Sequence, residues 1–428
     1  MRILLANVYF SPSSFGGATH VVERAAQGLV AEGHDVLVVT ANTDPQQPNH
    51  AITRYSALGV PVISMRVRTP LTEQSIFLDV DAGGRFGEIL ESFRPDVVHL
   101  HAIQTLSTSL AFECARRGVP FVMTMHDPWL LCSRQFMVRS DNTFCGQRRI
   151  DPDVCATCVA DVAFNVTRHD TGHRVLDLAS RVLAPSRYAR DFWADNGVPP
   201  ERLRVHGNGV ARPSRRSAPR DASAPLVLGY VGGVGPIKGS DLVVKALTAL
   251  GRDDYVLRVV DNTGNLGFSG THEGQWQVPG RVDIVPAYDA SSMDDFFEGI
   301  DVLLFPSQTK ESYGLTVREA LVRGRWVIAT DSGGSAEDIV EGVNGHVVPM
   351  DGTADALARA IAAVLDDPAL ARSRQLDPTP VADQDDHVRD LVAILVDVVA
   401  EAAASGTVPA WRRPVDDTNR GVEGYLDV

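Results

Sequence analysis

The sequence predicts an α/β protein made of two parallel-sheet domains, and three observations carry that prediction. At 428 residues the chain exceeds what one ordinary hydrophobic core accommodates. Apolar runs of strand length alternate with helical patterns through most of it, the signature of a parallel sheet covered on both faces. The alternation is interrupted once, at Ala211–Pro225 (ARPSRRSAPRDASAP), a stretch without periodicity that reads as a linker, and then restarts.

Taken in order, Met1–Val8 reads as a buried strand, followed by a helix over His20–Glu32 and a second strand at His34–Ala41. Asp96–His101 (DVVHLH), Val119–Met125 (VPFVMTM) and Arg181–Ala184 continue the first series. After the linker come Leu226–Val231, Tyr255–Val260, Val282–Val285, Asp301–Phe305, Trp326–Ala329 and Gly345–Val348. Leu391–Ala404 reads as a long terminal helix, with Trp411 and Tyr425 as anchors of the polar tail. The expected boundaries are a first domain over 1–210, carrying a cysteine-rich insertion at about 127–160, and a second over 211–399. A C-terminal segment, 400–428, is expected to pack back on the first domain. Ligands of open α/β sheets sit at the carboxyl ends of the strands, so the residues just after strands in both halves, facing a central cleft, are the ones to inspect.

Composition narrows the partners. An apolar fraction of 44% and a charged fraction of 22% suit a soluble globular protein. With 40 basic against 54 acidic groups, net −14, nothing favours nucleic acid, whose backbone needs basic surface. Residues 1–8 are too short for a signal-peptide core, and Leu391–Ala404 carries Asp397 and Glu401 and is too short to span a bilayer. A cytoplasmic location follows as the expectation, and a peripheral membrane contact is compatible with it. Only three of the basic residues are lysines: Lys238, Lys245 and Lys310. Where the chain merely needs positive charge it uses arginine, so each lysine points to a place that wants an ammonium.

Several motifs follow strands. Gly16–Gly17, after the first strand, allows close backbone approach to an anion at the start of a helix. Gly232–Gly239, after the first strand of the second half, contains Gly233 and Lys238. Its spacing is not that of a P-loop, but glycines let the chain bend beneath a ligand and the lysine can reach a diphosphate as a point charge. Thr309–Glu319 places Glu311 in a loop and Glu319 one turn into a helix, with the amides of Tyr313–Thr316 between them aimed at a phosphate. Carboxylates so placed suit sugar rings on either side of a phosphate, because each accepts two hydroxyl hydrogen bonds. His126 opens His-Asp-Pro-Trp at a strand end, where an imidazole can bind a ligand hydroxyl. His99 and His101 alternate on one strand and read as core or cleft lining.

Cys132, Cys145, Cys155 and Cys158 fall in one stretch at intervals of 12, 9 and 2, while Cys114 stands apart in a helical pattern. In a cytoplasmic chain, four cysteines ending in C-x2-C favour a structural zinc or iron–sulfur centre. Redox disulfides or plain thiols are the alternatives. The polar sequence between the cysteines has little core-forming capacity, so a metal would help order it.

Together these pieces resemble glycosyltransferase family 4, retaining enzymes of the GT-B fold, two Rossmann-like domains, that use nucleotide-diphosphate sugars. The resemblance spans roughly residues 1–365. It rests on Gly16–Gly17, Gly33–His34–Asp35–Val36, Pro95–Asp96–Val97–Val98–His99, Ala184–Pro185–Ser186, Asn208–Gly209–Val210 and Lys238–Gly239. Above all it rests on Glu311-Ser-Tyr-Gly-Leu-x-x-x-Glu319-Ala followed by Asp-Ser-Gly-Gly and Asn-Gly.

The resemblance implies an N-terminal acceptor domain and a C-terminal donor domain. Glu311 would contact the donor sugar, Glu319 the ribose, Lys238 the pyrophosphate and His126 the transferred sugar. Gly16, Gly17, Gly233, Ser312, Tyr313, Gly314 and Leu315 would complete the donor site, and Gly17 would approach the phosphate from the first domain. It implies no metal or other cofactor for catalysis, and a glycan, lipid-linked sugar or small molecule as acceptor. Many relatives have arginine five positions before the motif lysine; here that position is Gly233, so either another arginine (Arg187 or Arg318) stands in or phosphate binding is weaker. The rival readings are a GT-B sugar-nucleotide epimerase or hydrolase, and a nucleotide-binding regulatory subunit with impaired phosphate chemistry.

Overall fold

The computed structural model describes residues 1–215, 221, 223–261, 271–372, 379, 381–407, 409 and 411. They form two compact units, one of Met1–Gln135, Gln147–Gly209 and the chain from Gln384 on, the other of Phe136–Gly146 and Val210–Asp383.

The first unit holds β1 (Arg2–Ala6), β2 (Asp35–Asn42), β3 (Ile52–Ala57), β4 (Val60–Arg66), β5 (Val97–Leu100), β6 (Phe121–Thr124), β7 (Arg181–Ala184) and β8 (Leu203–Val205). Its helices are α1 (Gly16–Ala31), α2 (Glu73–Phe77), α3 (Val80–Phe93), α4 (Ser109–Arg116), α5 (Pro152–Cys155), α6 (Val162–Leu178) and α7 (Arg187–Asp195). The second unit holds β9 (Leu226–Tyr230), α8 (Ser240–Leu250), β10 (Tyr255–Asp261), β11 (Arg281–Pro286), α9 (Met293–Glu298), β12 (Val302–Phe305) and α10 (Leu315–Leu321). It continues with β13 (Trp326–Thr330), β14 (Gly345–Val348), α11 (Asp355–Asp366) and α12 (Ala369–Arg372), before α13 (Gln384–Ala404) returns to the first unit.

The first sheet runs β3-β4-β2-β1-β5-β6-β7-β8, parallel throughout except for the β3–β4 hairpin. The second runs β11-β10-β9-β12-β13-β14, all parallel. The order of parallel strands reverses beside β1 in the first sheet and beside β9 in the second, so the ends of β1 and β5 and the ends of β9 and β12 flank the two switch points.

Strand periodicity builds the second core on both sheet faces. Leu226, Leu228 and Tyr230 of β9 face a layer with Leu242, Val243 and Ile361, while Val227 faces the layer of Phe297, Val317 and Ala320. In the first unit Val388, Leu391, Leu395 and Val398 of α13 join the core of Ile3, Leu5, Val22 and Leu29. Burying each such side chain contributes about 2 kcal/mol, enough to tie the chain's return firmly to this unit. Gly28 permits that contact: a Cβ there would lie 2.4 Å from Val388 Cγ2.

The fold corrects the sequence reading in four places. The return begins at Gln384, not at 400, and residues 136–146 group with the second unit. The first helix begins at Gly16, so Gly16 and Gly17 form its first turn and do not precede it. β3, β4 and β8 were not expected. Pro61 argues against a strand at β4, yet it opposes only Ser56 of β3, and pairing with β2 begins at Val62, so no ladder donor is missed on that side. Tyr425, one expected anchor, lies outside the described residues. No described helix is long and apolar enough to cross a membrane.

Candidate active site

In the second unit the site grows from the ends of β9 and β12. After β9 the chain bends through Gly232–Gly239, and the Tyr230 hydroxyl donates to the carbonyls of Gly233 (3.0 Å) and Lys238 (3.1 Å), tying both ends of the loop together. Gly239 caps α8 at φ +73°, and a Cβ there would meet the Pro306 carbonyl oxygen at 2.0 Å. Only glycine fits, which brings the loop against the segment that follows β12.

That juxtaposition joins the two principal residues. Lys238 Nζ lies 2.7 Å from Glu311 Oε1, and the Ser307 hydroxyl donates to the same oxygen at 2.8 Å. Glu311 is pinned by its backbone as well: its N–H donates to Ser332 O and its carbonyl accepts from Gly334 N–H, both at 2.8 Å. The Asp-Ser-Gly-Gly motif is thus a short parallel bridge that fixes the glutamate. Gly314, at φ +77°, turns the chain into α10, and a Cβ there would lie 2.4 Å from Ser335 Cβ. Ser312, Gly314 and Leu315 are half-buried, whereas the Tyr313 side chain is buried, leaving only its backbone to serve a ligand.

Arg318 explains why Tyr313 turns inward. Its guanidinium lies 3.7 Å from the centre of the Tyr313 ring, pairs with Asp338 at 2.7 Å, and donates to the carbonyls of Tyr313 and Gly334. It braces the motif loop from inside, which overturns its reading as a phosphate ligand in place of an arginine at 233. Arg187 opens α7 in the other unit. Glu319, one turn into α10 and buried, accepts from the Tyr288 hydroxyl at 3.2 Å. Tyr288 follows the edge strand β11, and nothing in the apolar pattern singled it out.

In the first unit Asn7, buried just after β1, shapes the loop before Gly16 and Gly17. It donates to Tyr9 O and Thr19 Oγ1 and accepts from Ala102 N–H. At the ends of β5 and β6, His101, Gln104, His126 and Asp127 line a small pocket. His101 Nδ1 and His126 Nε2 are 3.0 Å apart, with the rings stacked at 5.3 Å. His101 Nε2 is buried without a hydrogen-bond partner. Burial, and then His387, push His126 down to about 4, so it is neutral near pH 7. Asp127 accepts from Gln104, Gln135 and Trp129 N–H, and burial raises its carboxyl above the usual range.

His99 and His101 are buried, as expected of them. They belong to a larger group that the sequence did not reveal. The His99 ring lies tilted against His101, centroids 3.8 Å apart, and shares a 2.7 Å hydrogen bond with Thr124, while His206 stacks on His387 at 4.3 Å. His387 is contributed by α13, so its place in this group depends on the returning helix.

The metal centre expected of Cys132, Cys145, Cys155 and Cys158 is not formed. Among the described residues no group of three or more Cys, His, Asp or Glu side chains is placed to hold a metal ion, and none of the five cysteines forms a disulfide. The segment is ordered instead by packing that its polar composition concealed. Leu130, Leu131, Met137, Val138 and Ile150 are buried, Arg168 donates to Trp129 O, and Asn196 accepts from Ile150 N–H at 2.8 Å. Cys145 also lies in the 136–146 stretch that groups with the second unit, whereas the other three cysteines belong to the first.

Two parallel-sheet α/β units in one chain, the second carrying a lysine–glutamate pair at its switch point, have the architecture of the GT-B glycosyltransferases. The chain belongs to glycosyltransferase family 4: residues 15–212 match the model described as Glycosyltransferase Family 4, and residues 212–376 match Glycosyl transferases group 1. It is 32% identical over 388 residues to a D-inositol 3-phosphate glycosyltransferase of Saccharomonospora viridis, covering 84% of this chain and 85% of that one. It is 24% identical over 382 residues to a GDP-mannose-dependent alpha-mannosyltransferase of Corynebacterium glutamicum, covering 86% and 81%. Among solved structures, a sucrose-phosphate synthase from Thermosynechococcus elongatus shares the fold with a TM-score of 0.63 at 20% identity, over 95% of this chain and 98% of that one. Anabaena HepE in complex with UDP-glucose does so at 0.59 and 17%, over 95% and 99%.

Proposed function

We propose that this glycosyltransferase moves a hexose-type sugar, with retention of anomeric configuration, from a nucleoside diphosphate to a hydroxyl of a carbohydrate-type acceptor. The observation that carries the donor reading is the Lys238–Glu311 pair at 2.7 Å, built at the β9/β12 switch point with Glu319 one turn into α10. Relatives named for GDP-mannose and a structural neighbour solved with UDP-glucose support the same donor class.

In this reading Lys238 and the loop amides meet the diphosphate, Glu311 the donor sugar, and Glu319 the ribose. Neutral His126 holds a hydroxyl of the transferred sugar. As the acceptor oxygen bonds to the anomeric carbon, the bond from that carbon to the phosphate oxygen breaks. The leaving phosphate, whose growing charge Lys238 offsets, takes the acceptor proton. Both events occur on one face of the sugar, so no protein nucleophile is assigned, and no step is assigned to a metal.

The test is a thermal-shift screen against UDP-, GDP-, dTDP- and ADP-sugars with the wild type and Glu319→Ala, followed by transfer assays on an acceptor panel. Stabilisation by one donor series, lost in Glu319→Ala, and a product of unchanged anomeric configuration are expected. Stabilisation by no donor sinks the donor site. Donor turnover without added acceptor indicates an epimerase or hydrolase, and binding without transfer a regulatory subunit.

Gly233 supplies a gain-of-function check. A Cβ there meets nothing within 4 Å and its φ is not in the left-handed region, so Gly233→Arg can place a guanidinium in the loop without strain. A second cation near the diphosphate should lower the donor KM by about 3- to 10-fold, the scale of one solvent-accessible hydrogen bond. Unchanged donor affinity in steady-state kinetics would place the diphosphate away from this loop.

A further inference from the structure

We infer that Tyr288 is a positioning residue that sets nucleotide affinity by fixing the Glu319 carboxylate through its hydroxyl. The inference rests on the reading of Glu319 as the ribose ligand.

Tyr288 leaves the edge strand β11 two residues after Pro286 and is held by aromatic packing. Its ring lies flat on Phe296 of α9 at 4.9 Å and 19°, with Phe297 edge-on at 5.6 Å. The phenol is thereby a rigid arm with few rotamers to lose, and its hydroxyl lies 3.2 Å from Glu319 Oε2. Burial, and after it the charge of Glu319, hold the phenol well above the ordinary tyrosine range, so the proton stays on oxygen and the hydroxyl donates. A carboxylate on a helix has a free torsion at its end. An oxygen tied to a fixed donor sets the plane of the group and removes rotational entropy that ligand binding otherwise costs.

The chemistry specifies what the contact acts on. A carboxylate in this place recognises the paired hydroxyls of a ribose, so losing the phenol hydroxyl should weaken nucleotides that carry those hydroxyls and spare nucleotides that lack them. A residue that merely packs the domain would weaken both.

The test is calorimetric titration of wild type, Tyr288→Phe, Glu319→Ala and the double variant. The probes are whichever of the ribonucleotides UDP, GDP, ADP and ribothymidine diphosphate the wild type binds, and its 2′,3′-dideoxy counterpart. Tyr288→Phe keeps the ring and its stack on Phe296, and an unliganded melting temperature equal to wild type verifies the fold. The expected result is a Kd for the hydroxylated nucleotide raised about 5- to 10-fold in Tyr288→Phe, the size of one ordinary net hydrogen bond, with the dideoxy Kd unchanged. The double variant should bind no more weakly than Glu319→Ala, because the tyrosine acts only through the glutamate. An unchanged Kd in Tyr288→Phe alongside a weakened Glu319→Ala overturns the inference and leaves the donor reading standing. Equal weakening of both nucleotides in Tyr288→Phe also overturns it, as a packing effect. No weakening in Glu319→Ala, or no binding of any probe by the wild type, overturns the donor reading and this inference together.

Discussion

Replacing Lys238 with alanine is expected to lower kcat/KM for sugar transfer by about 10²- to 10³-fold, the loss typical when one preorganised charge-stabilising group is removed. The Lys238–Glu311 pair adds a second, opposite-signed expectation. Lys238 is paired with Glu311, and the two side chains are 43% and 20% exposed, so the pair belongs to the solvated class worth about 0–1 kcal/mol. A diphosphate carrying more than one negative charge displaces so weak a pair at little cost. Glu311→Gln should therefore abolish most of the transfer while binding the bare nucleoside diphosphate about 3- to 10-fold more tightly, since it releases the lysine and removes a repelling charge. Calorimetric titration of the sugar-free nucleotide checks this, and weaker binding by Glu311→Gln would show that the glutamate does more for the phosphates than hold the lysine.

Acid should destabilise the protein steeply, and the buried histidines are the cause. His99, His101, His126, His206 and His387 are all held below their ordinary value of 6.5, each chiefly by burial. His126 is lowered to about 4 and His206 to about 3. For a base whose folded value is depressed, the unfolded chain binds more protons between the two values, so stability rises with pH in that window. The contribution is complete above about pH 6.5 and is lost as pH falls from there toward 4 and 3. His126 and His206 alone give a slope of about 3 kcal/mol per pH unit near pH 5, at about 1.4 kcal/mol per proton. Asp79, held at about 2 by Arg68 and His50 against its burial, loses its contribution only at lower pH and does not blur the window. Denaturant titrations at pH 7.5, 6 and 5 should show the loss, and His206→Asn should flatten the slope by about one proton. A midpoint that stays constant from pH 7.5 to 5 rules the mechanism out.

The two sets of residues differ in how far the sequence revealed them. Lys238 was conspicuous because the chain has only three lysines, and Glu311 and Glu319 because a loop and a helix start are written in the residues between them. That Lys238 and Glu311 touch was not legible. They are 73 positions apart, and the contact exists because Gly239 lets its loop lie against Pro306. The histidine cluster was hidden for the same reason. His387 reaches it only because α13 returns to the first unit, a consequence of where Val388 and Leu391 find apolar partners. The cysteines show the reverse error. Their spacing pointed to a metal, but spacing along the chain says nothing of where thiols converge, and ordinary packing already orders the segment.

The sequence by itself determined the α/β class, the parallel character of both sheets apart from the β3–β4 hairpin, and the identity of the motif residues after β9 and β12. Those follow from strand and helix periods, from glycine's conformational range and from residue chemistry, all of which are local. Only the tertiary structure decided which residues brace the site. Arg318 was drawn inward to hold the motif loop, Tyr288 was brought from the sheet edge to Glu319, and His387 was delivered by the final helix. Those contacts depend on strand order and on which apolar faces are buried together, and long-range packing of that kind has no period or spacing in the chain from which to be read.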